Sequence, residues 1–332
     1  MVTTYSNYID GTWINSDSGK TFQQTNPANT GEILGAFQDS TAEDTKRAIT
    51  SSVEAFPEWK KTTPFERADI LYRVMSLIEE DKDELATVIT KEVGKTFSAA
   101  RKEVESTIKA LKHFISAVNQ LSGETIPSND PDAFAYTLKE PLGAVGVITP
   151  FNFPLGIGIF KIAPALIAGN TVVYKPTNET AQIAVKLVEL FEKAGIPKGV
   201  LNMVTGDGAV VGHEMATNES LQAISFTGST DVGLSLGKTV RNRGGKMQAE
   251  MGGKNATIIL EDADFEEAVK GAIISGMFNN GQSCTGTSLI VVPKSISKTI
   301  TDMLVEKAQE LKVADGFSEG ADNGAIANER QL

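Results

Sequence analysis

A single cysteine, Cys284, and two histidines, His113 and His213, stand in 332 residues. One thiol excludes an internal disulfide framework and any metal site built on cysteines. Two histidines supply poorly both a His-rich metal centre and Ser-His-Asp catalysis. Positive charge is short as well: 31 Lys and Arg face 42 Asp and Glu, a formal net charge of −11. That balance disfavours a nucleic-acid partner or an anionic membrane surface, and leaves a local basic pocket open. No apolar run approaches the roughly 20 residues needed to cross a bilayer. The opening Met1-Val2-Thr3-Thr4-Tyr5 has neither a basic nor an apolar segment, so it does not read as a signal peptide. A reduced, cytoplasmic setting fits these absences. What remains, 41% hydrophobic and 22% charged, is ordinary globular composition, and the length predicts roughly two domains.

Along the chain, Tyr8-Ile9 and Thr12-Trp13-Ile14 flank Asp10-Gly11, the signature of a tight hairpin. Ser40-x-x-Glu43 reads as a capping box opening a helical layer. Ile70, Leu71, Val74, Leu77 and Ile78 form one helical face; Val104, Ile108, Leu111, Ile115 and Val118 form another. His113 lies on the second helix without a companion ligand and reads as a surface or packing residue. Residues 123–141 read as two strands around Ser128-Asn129-Asp130-Pro131, a protruding hairpin. From Gly143 to about Glu250, apolar runs at 145–148, 171–174, 201–204 and 223–226 alternate with helical runs. That alternation predicts an α/β fold with a parallel sheet covered by helices. A second series starts at Asn255, with strands at 256–260 and 289–292 and helices from Asp264 and near 296–311. A boundary is expected near Met251-Gly252-Gly253. Two strands are few for a parallel domain, so this second domain is expected to be incomplete.

Cys284 sits in a polar, glycine-flanked turn, Asn279-Asn280-Gly281-Gln282-Ser283-Cys284-Thr285-Gly286, between a helical run and a strand. Such a junction suits a thiolate nucleophile better than a buried structural cysteine. Asn152, in Pro150-Phe151-Asn152-Phe153-Pro154, follows a strand; it is either an oxyanion donor or a turn asparagine. Lys175 ends a strand, as a ligand for ribose or phosphate or as a solvated lysine. Phe226-Thr227-Gly228-Ser229-Thr230 joins strand to helix, and the free N–H groups there suit a pyrophosphate. Gly206-Asp207-Gly208 with Gly212 matches a dinucleotide fingerprint only loosely, and Asp207 would repel a phosphate. Glu250 precedes Gly252-Gly253, as a general base or an ordinary exposed glutamate.

In their order, Phe151-Asn152-Phe153-Pro154, Lys175-Pro176, Phe226-Thr227-Gly228-Ser229, Glu250-Met251-Gly252-Gly253-Lys254-Asn255 and Gly281-Gln282-x-Cys284 resemble the NAD(P)-dependent aldehyde dehydrogenase superfamily. The likeness runs from about residue 8 to the last residue. It implies a Rossmann-type cofactor domain, residues 1–122 with 142–251, an oligomerisation hairpin, 123–141, and a catalytic domain, 252–332, truncated. It implies Cys284 as nucleophile, Glu250 as general base and Asn152 as oxyanion donor, acting with the Cys284 backbone N–H. Lys175, Asn178 and Ser229, with Thr149, Pro150, Phe151, Gly208, Gly228, Met251 and Gly252, are implied around NAD or NADP. The implied substrate is a small aldehyde, oxidised to a carboxylic acid; the run from Glu250 to Thr285 is similar to bacterial semialdehyde and 2-oxoglutarate semialdehyde dehydrogenases. A homo-oligomer, dimer or tetramer, is implied for the full-length family, and no metal.

The chain departs from the family pattern in three places. Phe151 stands where tryptophan is frequent. Asn178 stands three residues after the lysine, where NAD-preferring members carry glutamate. An amide would not repel a 2′-phosphate, so NADP is expected to be accepted alongside NAD. The family's chain continues beyond Leu332, so an inactive cofactor-binding fragment or interaction module stands as the alternative. A thioester-forming acyltransferase without redox chemistry is a third reading.

Overall fold

The computed structural model describes residues 2–332. Its organising element is a seven-stranded sheet in the order Lys246–Met251, Ala223–Gly228, Ala144–Ile148, Thr171–Lys175, Leu201–Met203, Asn7–Ile9, Thr12–Ile14. The first five strands are parallel, and the last two form an antiparallel edge hairpin. That hairpin turns at Asp10 and Gly11, with φ of 52° and 72°. Two positive φ values in succession define the turn whose twist matches its strands.

The strands Ala144–Ile148, Thr171–Lys175 and Leu201–Met203 are buried along their whole length, which is why they are mostly apolar, while the edge strand Lys246–Met251 keeps one face in solvent. Val145, Val147, Val172, Tyr174, Leu201 and Met203 face the helices Pro154–Ile167 and Ala181–Lys193. Outside these lie Pro64–Glu80, Lys82–Val93 and Phe97–Ser116, all sharing that core. Ala144, Ile148, Val173, Ile224 and Phe226 face the other way, towards Ala42–Trp59, His213–Thr217 and Thr230–Asn242. The helix Lys82–Val93, which the two faces read from sequence leave out, ends at Gly94 with φ 81°, a left-handed cap.

The strand order fixes where a ligand can enter. After Ala144–Ile148 the chain builds outward to Thr171–Lys175 and Leu201–Met203. It then returns to add Ala223–Gly228 and Lys246–Met251 on the opposite side. The helices that follow the two central strands, Pro154–Ile167 and Thr230–Asn242, therefore depart to opposite faces. A crevice opens between them at the carboxyl ends of the strands.

One capping assignment is corrected. The first long helix is capped by Thr41 with Asp44, not by Ser40 with Glu43. Thr41 Oγ1 accepts from Asp44 N at 3.2 Å, and Asp44 accepts from Thr41 N at 2.8 Å. Ser40 is held elsewhere, accepting from Asn7 Nδ2 at 2.8 Å. The pattern was one residue out of register because either pair satisfies it in sequence.

Beyond Met251 the second series has two parallel strands, Asn255–Ile258 and Thr287–Val291. The helices Phe265–Met277 and Ser297–Gln309 cover one face through Ile259, Val269 and Ile300. Ile258, Leu260, Leu289 and Val291 remain exposed. The 123–141 segment protrudes as a short antiparallel pair, Thr125–Ile126 with Ala135–Tyr136, with Phe134 76% exposed at its tip side. Among the described residues no helix is long and apolar enough to cross a membrane.

Glu92 joins two helices of the apolar layer. It is buried near the end of Lys82–Val93 and accepts from Gln182 N at 2.7 Å and Ile183 N at 2.9 Å, opening Ala181–Lys193. Burial pushes its carboxyl from 4.5 up to about 8, against those hydrogen bonds. Between these values the folded chain holds a proton that the unfolded chain releases, so stability falls as pH rises through that window. Melting temperatures of wild type and Glu92→Gln, compared from about pH 5 to about pH 8, should show the wild type losing ground steadily. A difference that stays level across the window would remove this assignment.

Candidate active site

The crevice is a cleft of about 940 Å³, within the range of small-molecule and cofactor sites. All the residues nominated from sequence line it except Glu250 and Asn178.

One wall is the loop after Ala144–Ile148. Asn152 lies there, two residues before Pro154 opens the next helix. Its Oδ1 accepts from Phe153 N at 3.1 Å, and its Nδ2 donates to Gln282 O at 2.9 Å. Two bonds thus fix the plane of the amide. Nδ2 carries two hydrogens, so one N–H stays available at the cleft.

The facing wall is the Cys284 turn. Asn279, Asn280 and Gly281 follow the helix Phe265–Met277 with φ of 53°, 60° and 74°. Asparagine and glycine are the residues that visit this left-handed region routinely. Three in a row reverse the chain and bring Gln282 against Asn152. Asn279 is buried, and its Nδ2 donates to Asn152 O at 3.1 Å and Gln282 O at 3.3 Å. Asn280 accepts from Gly324 N at 3.0 Å and donates to Ala325 O at 2.6 Å; Gln282 Oε1 accepts from Ala327 N at 3.0 Å. Asn255 Nδ2 donates to the carbonyls of Cys284 and Gly286 at 2.8 and 3.0 Å. Within this braced turn the Cys284 thiol is exposed to the cleft.

The third wall is the N-terminus of Thr230–Asn242. Ser229 is its cap but makes no side-chain capping bond, so first-turn N–H groups keep their capacity for an anion. A Cβ on Gly228 would sit 2.5 Å from the Phe226 ring, so a larger residue there would displace that buried side chain. A Cβ on Gly208 or Gly252 would meet no atom within 4 Å, because both border the open cleft. Lys175 closes this side. It is buried, donates to Pro176 O at 3.0 Å, and burial pulls its ammonium down to about 8, with Glu179 and Asp207 opposing.

Glu250 and Asn178 lie off the cleft wall. Along Lys246–Met251 side chains alternate, so Met247, Ala249 and Met251 pack inward while Lys246, Gln248 and Glu250 face solvent. Glu250 is one residue from the cleft-lining Met251, and its charge acts on Lys161 of the helix Pro154–Ile167. Lys161 donates to Ser225 Oγ at 3.0 Å and Phe226 O at 3.1 Å. Burial lowers it to about 8, and Glu250 opposes that shift. The Asn178 Oδ1 is buried without a partner. Its neighbours Thr177 and Glu179 line the cleft instead, bonded to each other through Thr177 Oγ1. A carboxylate, Glu179, therefore lines the cleft and acts on Lys175 by its charge, where the sequence pointed to the Asn178 amide.

Sequence reasoning also passed over Lys161, Glu179 and Asn279. Lys161 did leave a signal, as the only charged residue in the helix Pro154–Ile167. Glu179 and Asn279 left none that separates them from ordinary turn residues.

Comparison with known proteins adds the identity of this arrangement. The model of the aldehyde dehydrogenase family matches residues 13–332. The alpha-ketoglutaric semialdehyde dehydrogenase of Bacillus subtilis is 43% identical over 330 residues, 99% of this chain and 67% of that protein. An NADP-dependent enzyme of Escherichia coli superposes with a TM-score of 0.95 at 34% identity, over 99% of this chain and 68% of that one. Betaine aldehyde dehydrogenase of Staphylococcus aureus, solved in complex with NAD+, gives 0.96 at 34% identity, over 98% and 65%. The chain spans about two thirds of the length of these relatives. Family model, identity and superposition agree with the three-walled cleft: the chain belongs to the aldehyde dehydrogenase family.

Proposed function

We propose that the cleft oxidises an aldehyde to a carboxylic acid with NAD+ or NADP+, through a thioester on Cys284. The observation that carries this reading is the pairing across the cleft of an exposed thiol with an amide whose plane is fixed and whose second N–H is free. The residues present suit a dinucleotide: a helix N-terminus without side-chain cap, glycines bordering open space, and a buried lysine. Thr149, Pro150, Phe151, Gly208, Gly228, Ser229, Met251 and Gly252 would border it, with Lys175 at its ribose. The bound nicotinamide supplies the hydride acceptor.

The thiolate of Cys284 forms a bond to the aldehyde carbon, and the carbonyl π pair moves to oxygen. The free N–H of Asn152, with the Cys284 backbone N–H, stabilises that oxyanion. Loss of hydride from the carbon leaves a thioester. Glu250, which faces solvent one residue from the cleft-lining Met251, would turn inward to take a proton from water; the water oxygen bonds to the acyl carbon, and the thiolate leaves. Residues 1–122 with 142–251 would serve as the cofactor domain and 252–332 as the nucleophile's domain. The aldehyde is proposed to be aliphatic, semialdehydes included, in line with the Bacillus subtilis relative's name. The 123–141 hairpin, with Phe134, Tyr136 and Leu138 in solvent, is proposed as the contact of a homo-oligomer.

A second reading is favoured by one observation. The two-stranded sheet that backs the cysteine turn is covered on a single face. In that reading the chain binds the dinucleotide without turning over.

Three variants test the chemistry. Cys284→Ala should abolish NAD(P)H formation with an aliphatic aldehyde panel, and Asn152→Ala should lower it on the order of 10²–10³-fold. Glu250→Gln should give a stoichiometric burst of NAD(P)H and then stall at the thioester. Turnover that survives Cys284→Ala would sink the mechanism. Retained binding with no turnover in the wild type would select the second reading.

A further outcome concerns cofactor affinity. Because Lys175 loses its charge near pH 8 in the free protein, affinity for NAD+ should weaken as pH rises through that value. Lys175→Met should bind more weakly and show no such inflection by titration calorimetry. An inflection that persists in the variant would assign it to another group.

A further inference from the structure

Lys95 and Glu103 form an ion pair sealed from solvent, their side chains 1% and 2% exposed, with Nζ 2.9 Å from Glu103 Oε2. Burying such a pair costs several kcal/mol per ion, and apolar replacements of similar pairs are often neutral or stabilising. Stability alone therefore does not account for it; its other bonds do. Lys95 Nζ donates to Asn152 O at 2.6 Å and lies 4.3 Å over the Phe153 ring. The second Glu103 oxygen accepts from Leu155 N at 3.0 Å and Gly156 N at 3.1 Å. One ion pair thus pins the backbone from residue 152 to residue 156, on both sides of Pro154.

The turn carrying Lys95 also reaches the opposite wall. Gly94 O accepts from Ala325 N at 2.9 Å, and Phe97 N donates to Gly316 O at 2.8 Å. A Cβ on Gly324 would lie 1.9 Å from Gly94 O, so the two segments touch backbone to backbone. The same loop is held by Asn280 and Gln282 of the cysteine turn. The contacts close a ring: Lys95 to Asn152, Asn152 to Gln282, Gln282 to Ala327, and Ala325 back to Gly94. Both reacting walls are members of that ring.

We propose that Lys95, held by Glu103, is a positioning residue for the oxyanion site, setting the Asn152 amide against the Cys284 turn. This rests on the reading of Cys284 and Asn152 given above. Lys95 touches neither wall's reactive atom and acts through the Asn152 main chain.

The test uses the full chain and two reagents for the same thiol. With p-nitrophenyl acetate, Sγ bonds to the acyl carbon, an oxyanion forms beside Asn152, and p-nitrophenolate leaves; no cofactor is needed. With iodoacetamide, Sγ displaces iodide at a saturated carbon and no oxyanion forms. Lys95→Met should slow Cys284 acylation on the order of 10²-fold, as Asn152→Ala does, with alkylation unchanged. In the Asn152→Ala background Lys95→Met should cost nothing further. Glu103→Gln keeps an oxygen for the Leu155 and Gly156 amides and removes only the charge. It should lower acylation in the same selective way, and it serves if Lys95→Met does not fold. Equal losses with both reagents, additive losses in the double variant, or wild-type acylation in Lys95→Met and Glu103→Gln would each overturn the proposal. A wild-type chain with no Cys284-dependent acylation would instead overturn the underlying reading of Cys284 and Asn152, and this one with it.

Discussion

The main-chain carbonyl of Asn152 accepts from two buried donors, the Lys95 ammonium and the Asn279 amide. These donors come from segments far apart in sequence, one before the parallel sheet and one after it. A backbone oxygen caught between them cannot shift without stranding a buried charge or a buried amide, which is costly in a dry interior. Much of the cleft follows from that constraint. The Asn152 side chain is aimed by its own residue's fixed main chain, and Gln282 meets it because Asn279 binds both.

The chain is acidic overall, yet three lysines are buried around the cleft: Lys95, Lys161 and Lys175. Each is compensated differently. Lys95 has a full carboxylate partner at contact. Lys161 has neutral acceptors at contact and Glu250 at longer range. Lys175 touches a carbonyl, with Glu179 and Asp207 farther off. The last two are accordingly poised near neutrality, as burial disfavours the charged form and distant carboxylates only partly restore it. The site thus holds positive charge that responds to what enters it, inside a surface of opposite sign.

Much of the fold was legible in sequence because periodicity reports burial. The runs 145–148, 171–174, 201–204 and 223–226 are mostly apolar because helices pack on the sheet, and they appear as strands within two residues at either end. The Asp10-Gly11 hairpin was legible because two positive φ values are affordable to few residue pairs. The helix cap at Thr41 slipped by one because hydroxyl and carboxylate recur at adjacent positions. The site was legible where chemistry sits at strand ends, as with Asn152, Lys175 and Ser229, all of which line the cleft. It was not legible where a role depends on side-chain direction. Glu250 and Asn178 sit on the expected segments and point off the cleft wall, while Glu179 points into it. The Lys95–Glu103 pair was invisible for a related reason: a lysine and a glutamate eight residues apart look like solvated helix ends until the fold buries both.

Among the described residues the pair of strands Asn255–Ile258 and Thr287–Val291 has no neighbour on either edge. Its outer face carries Ile258, 68% exposed, together with Leu289 and Val291. Open strand edges are templates for pairing with further chain, and apolar side chains beside them strengthen the attraction. A further strand of matching register would therefore extend this sheet at either edge.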